Sequence, residues 1–133
     1  MMRMETKQES GDRIILEGTS GKTGKYKLYV DDGCIIFDFY CIFDESTDED
    51  IHAVGKMRKE DYAAGIKELS QTGYCKIPLS ECRQDALEGY LEMRKKNGVF
   101  IINFQNYIGF GQSIHNQPTD WTIDDLLGTI DDL

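Results

Sequence analysis

Residues 33–43 form the most apolar run of the chain, and they alternate. Ile35, Phe37, Phe39, Cys41 and Phe43 make one wholly apolar face, while Cys34, Ile36, Asp38, Tyr40 and Ile42 make a mixed one. That is the pattern of a central strand with one face in the core and the other partly covered. Residues 25–30 alternate in the same way, and Asp32-Gly33 suits a two-residue hairpin turn, because both positions take positive φ readily. Counting outward from that turn sets Val30 against Ile35, Leu28 against Phe37 and Tyr26 against Phe39 on the apolar face. Tyr29 then meets Ile36, and Lys27 meets Asp38, on the other. A slip of one residue would set Lys27 against Phe37, so the pattern selects its own register.

The remaining elements follow from period and punctuation. Residues 12–17 read as a short strand. Residues 44–57 read as a connection that returns to the core at Ile51, Ala53 and Val54. A helix is expected over 58–71, with Tyr62, Ile66 and Leu69 on one stripe and Gly73 ending it. Residues 74–78 are extended, an edge strand stopped by Pro78. Ser80 then caps a second expected helix over 81–96, with Ala86, Leu87, Tyr90 and Leu91 inward and Met93 at its flank. Arg94, Lys95 and Lys96 suit the negative end of its dipole, and Asn97-Gly98 ends it. Residues 99–104 are a second apolar strand, expected beside 33–43. Residues 119–133 carry Ile123, Leu126, Leu127 and Ile130 on one stripe, an amphipathic helix weakened by Gly128. No internal repeat is visible in the sequence. The expected fold class is α+β, an antiparallel sheet of about four strands with helices packed on one face, in the order β-β-β-α-(β)-α-β-α. It forms a single domain over 12–133 behind a flexible tail of residues 1–11.

Charge changes the picture more than composition does. The 133 residues are 40% hydrophobic and 29% charged, ordinary for a globular protein with a core of its own, but they carry a net charge of −9. Residues 31–55 hold eight acids and no Lys or Arg, and residues 99–133 hold five acids and again none. Such segregation argues against a nucleic-acid ligand and in favour of a basic protein surface as the complement. No apolar run is long enough for a membrane-spanning helix, and the N-terminal residues lack the apolar stretch of a secretion signal. A cytoplasmic location is expected, where thiols stay reduced. Cys34 and Cys41 are seven apart, as are Cys75 and Cys82, which is not the spacing of paired zinc ligands. They read as small buried hydrophobes.

Two motifs catch the eye and fail on their details. Gly21-Lys22-Thr23 matches the end of a phosphate-binding loop, but Leu16 stands where its first glycine belongs, and a strand pattern follows where a helix is required. In residues 44–55, Asp44, Ser46 and Asp48 fill the first ligand places of a calcium-binding loop. Glu49 then replaces the turn glycine, and Gly55 stands where the bidentate glutamate is needed. The histidines, His52 and His115, lie in no catalytic context. No catalytic residue, metal or cofactor is therefore assigned, and a binding protein is favoured over an enzyme.

In size, acidity and small α+β outline the chain resembles the immunity proteins that bacteria pair with secreted toxins. That resemblance implies an inhibitor that neutralises a toxin or nuclease domain by covering a basic surface. The expected contact residues are Asp44, Glu45, Asp48, Glu49 and Asp50, with Tyr40 and Ile42 as the apolar anchor beside them. The alternative is a small enzyme or ligand-binding protein whose pocket lies near Tyr107, Phe110, His115 and Trp121.

Overall fold

The hairpin at Asp32-Gly33 is the seed of the architecture. A computed structural model of the chain describes residues 13–20, 24–44, 49–80, 89–106 and 112–133. Asp32 and Gly33 take φ values of +50° and +81°, and β2 (Gly24–Asp31) and β3 (Cys34–Asp44) pair from Asp31↔Cys34 outward. The register is the one the apolar pattern selects, including Leu28↔Phe37 and Lys27↔Asp38. β1 (Arg13–Ser20) adds to β2, and β4 (Glu49–Arg58) to β3, giving a four-stranded antiparallel meander. The stretch expected to be a connection is thus largely the strand β4. Its inward positions, Ala53, Gly55 and Met57, are small or apolar and buried.

Helix α1 (Lys59–Thr72) follows, with Tyr62, Gly65, Ile66 and Leu69 buried. Gly73, at φ +81°, ends it by returning its N–H to the Leu69 carbonyl. The expected edge strand is β5 (Tyr74–Pro78), but what pairs with it corrects the reading of the second half. Of the expected helix over 81–96, residues 89–96 are the strand β6 (Gly89–Lys96), and 81–88 lie outside the described residues. Gly89, Leu91 and Met93 point inward with period two. Asn97-Gly98 is not a helix end but a hairpin turn, at φ +53° and +83°, leading into β7 (Val99–Asn106). β8 (Gln112–Pro118) completes a second meander in the order β5-β6-β7-β8. α2 (Ile123–Ile130) closes the chain, started by a capping box between Thr122 and Asp125.

Among the described residues the fold is therefore mostly β, with two four-stranded antiparallel sheets and two short helices. It is not the helix-covered single sheet of an α+β protein. The strand 99–104 does not pair beside β3 but faces it from the other sheet, with the Phe37 and Phe104 rings 5.1 Å apart. Gly55 is what lets the sheets approach, since a Cβ there would sit 2.7 Å from the Phe104 ring. The outer edge of β4 is tied to the second half. Asn106 Nδ2 donates to the Val54 carbonyl at 3.0 Å, and the Ser80 amide donates to the Lys56 carbonyl at 2.7 Å.

The order of four strands and a helix occurs twice. Aligned on their turns, Gly24, Tyr26, Leu28, Ile35, Phe37 and Phe39 fall opposite Gly89, Leu91, Met93, Phe100, Ile102 and Phe104, all buried. The helices correspond as well, with Tyr62 and Gly65 of α1 matching Leu126 and Thr129 of α2 when the N-caps Arg58 and Thr122 are aligned. They meet where the Tyr62 and Thr129 hydroxyls hydrogen-bond at 2.6 Å in the core. Burial pushes the Tyr62 phenol up to about 12.

Candidate functional site

Four strands in register carry side chains across the sheet in rows. On the outer face of the first sheet one row is Thr19, Lys25, Tyr40 and His52, and the next is Glu17, Lys27 and Asp38. The twisted sheet makes a concave groove here, with a volume of about 710 Å³. Its lining includes all seven of these residues, and Ile14 as well. Tyr40 is 39% exposed, high for an aromatic residue in the middle of a sheet. His52 stands edge-on to it, with ring centres 6.1 Å apart, and shares a hydrogen bond of 2.9 Å with Asp38. Lys27, expected opposite Asp38, is there in backbone register, and its ammonium lies 5.8 Å from the Tyr29 ring.

One rim of the groove is fixed by a latch from the distant C-terminal segment. Asp120 accepts hydrogen bonds from the Tyr26 hydroxyl, from the Thr19 amide and from the Thr19 hydroxyl. Gly18 gives it room, because any Cβ there would collide with the carboxylate. Burial pushes the Asp120 carboxyl up, but the hydrogen bonds from Tyr26 and Thr19 outweigh it and hold the group below the usual carboxylate value. The same burial, with Asp120 beside it, raises the Tyr26 phenol above its ordinary value. Trp121 packs edge-on to Tyr26 at 4.2 Å.

The matching face of the second sheet is knitted shut by its own side chains. Lys76 lies 4.3 Å over the Tyr90 ring, and the Tyr74 hydroxyl donates to Glu92 at 2.7 Å. That hydrogen bond, more than burial, pushes the Tyr74 phenol up to about 12. Asn103 donates to the other Glu92 oxygen at 3.1 Å and accepts from the Asn116 amide at 3.0 Å, while Arg94 donates to the Asn116 side chain.

Of the residues expected to bind a partner, Tyr40 is on the outer face, and Ile42 and Asp50 are cross-strand partners in the β3–β4 ladder. Asp44 and Glu49 make its last pair, while Glu45 and Asp48 lie outside the described residues. The alternative pocket is not assembled by what is described. His115 is exposed on β8, Trp121 is buried against Tyr26, and Tyr107 and Phe110 lie outside the described residues, as do Gly21, Lys22, Thr23 and Cys82. Cys75 is buried, which pushes its thiol up to about 12, and Cys34 and Cys41 are partly exposed. The grouping of Lys25, Asp38, Tyr40 and His52 escapes sequence reading because it needs β4 paired to β3. The alternation of Ala53, Gly55 and Met57 was the available signal. Among the described residues no group of acidic, His and Cys side chains suits a metal ion, and no helix is long and apolar enough to cross a membrane. No family model matches the chain, nor does any curated protein or solved structure.

Proposed function

We propose that this chain is an acidic binding protein of the immunity type, acting in the cytoplasm, which neutralises a toxin or nuclease domain by covering a basic surface of it. The observation that carries the reading is how far the β3–β4 ladder runs toward the acid-rich stretch of the sequence. β2 makes its last pair with β3 at Lys25↔Tyr40, yet the β3–β4 ladder continues to Asp44↔Glu49. The last described pair, Asp44↔Glu49, thus lies past the last described pair of β2 and bounds the acid-rich stretch of the sequence, with the exposed Tyr40 behind it on β3. Carboxylates at an extended hairpin end act first on encounter with a basic surface, and an aromatic residue behind them slows departure.

The partner is sought by low-salt co-purification from the native host, with mass spectrometry of what is retained. Association is then followed across a salt series, with Asp44, Glu45, Asp48, Glu49 and Asp50 all changed to amides in a second protein. The expected result is association slowed at least about tenfold at low salt, a flatter salt dependence and a melting temperature almost unmoved. An unchanged association rate with the same salt slope would remove the acidic hairpin end from the mechanism.

A further inference from the structure

We propose that the groove on the outer face of the first sheet binds a small aromatic anion, a ring carrying one carboxylate or phosphate, with the anion on Lys25 and the ring against Tyr40. The charges of the two rows decide where the anion goes. Lys27 stands between Glu17 and Asp38 in the ladder, so opposite charges flank it on both sides. Lys25 stands between Thr19 and Tyr40, both uncharged, and forms no ion pair among the described residues. In a chain of net charge −9, an ammonium set in a concavity with uncharged neighbours on both sides of its row is a place where an anion can be held. Asp38 keeps its charge, but it lies in the other row from Lys25, with Lys27 opposite it in the ladder and His52 sharing its carboxylate.

The rest of the groove suits a ring. Tyr40 presents an exposed aromatic surface in the same row as Lys25, with His52 edge-on behind it. Ile14, 52% exposed, contributes apolar surface to the lining. A volume of about 710 Å³ falls within the range of small-molecule sites, which join apolar walls to a few placed polar groups.

The second half of the molecule serves as an internal control. Its positions matching Lys25, Lys27 and Asp38 are Tyr90, Glu92 and Asn103, and all three are tied to neighbouring side chains. The second sheet's outer face is thus tied across by its own side chains at these positions, whereas in the first Lys25 has no ion pair among the described residues. The inference does not depend on the acidic hairpin end or on any protein partner, so the two readings fail separately.

The experiment is calorimetric titration of the full chain with benzoate and with phenyl phosphate, repeated with Lys25→Met and Lys25→Arg. Amide chemical shifts locate the bound probe. Saturable binding of at least one probe is expected, with shifts centred on Lys25, Tyr40 and His52. Lys25→Met should weaken it at least about tenfold with the melting temperature unchanged, while Lys25→Arg retains it. Phenol and inorganic phosphate should each bind at least about tenfold more weakly than the aryl anion, since each offers half of the recognition. No saturation by either probe at about 10 mM, shifts centred elsewhere, equal binding by Lys25→Met, or inorganic phosphate binding as tightly as phenyl phosphate would each overturn the proposal.

Discussion

Phe37 and Asp38 are neighbours in sequence and opposites in consequence. Phe37 is fully buried and meets Phe104 across the two sheets, so Phe37→Ala removes a large side chain from a place the second sheet cannot collapse to fill. A loss of about 3–5 kcal/mol is expected. Asp38 makes its hydrogen bond to a largely exposed His52, and such surface pairs contribute little, so Asp38→Ala should cost under about 1 kcal/mol. Denaturant melts of the two variants measure the difference, and equal losses would contradict the assignment of faces. At this scale the β2–β3 hairpin was legible, because a period of two with apolar residues at every second position admits only one register, while β4 beside it was read as a connection. The Tyr26–Asp120 contact was not legible, since nothing local to either residue announces a partner at the other end of the chain.

Among elements, the two hairpin turns show where sequence reading succeeds and where it is misled. Asp32-Gly33 and Asn97-Gly98 have nearly the same backbone, yet only the first reads as a turn between strands. Before it, Lys25 to Asp31 alternates cleanly. Before the second, Ala86, Leu87, Tyr90 and Leu91 fall at helical spacing behind a capping serine, and the basic run 94–96 suits a helix C-terminus. Strand β6 has only Gly89, Leu91 and Met93 to declare its inner face, and pairing on both sides by β5 and β7 overrides the local preference. The glycines can be tested against each other. Gly98→Ala, at φ +83°, should destabilise by about 1 kcal/mol or more, because a Cβ is strained there whatever the space around it. Gly128→Ala, in α2 with nothing within 4 Å, should stabilise by up to about 1 kcal/mol. Thermal or denaturant melts check both, and the signs matter more than the sizes.

For the molecule as a whole, the architecture is one plan executed twice, and its halves have diverged where they face solvent rather than where they face each other. The buried positions of the paired hairpins still match in kind, which is why part of the core could be read as residues where the element was misread. Tyr90, expected inward, nonetheless faces out against Lys76, and Met93, expected at a flank, is fully buried. Leu91 was expected to be inside, and it is, on a strand instead of a helix. The outer faces share little, which hides the likeness of the halves from a reading of the sequence alone. The latch between the C-terminal segment and β1 has a consequence for the time course of folding. Both meanders are built from pairings close in sequence, which form early because little chain must be closed. Tyr26 with Asp120 and Arg13 with the Asp132 carbonyl join groups separated by 94 and 119 positions, so these contacts come after the sheets exist. Contacts absent from the transition state govern escape from the native state rather than arrival. In stopped-flow chevrons, Asp120→Asn should leave the refolding limb within about twofold of the parent and raise the unfolding limb, so the molecule would reach its structure as fast as before and keep it for a shorter time.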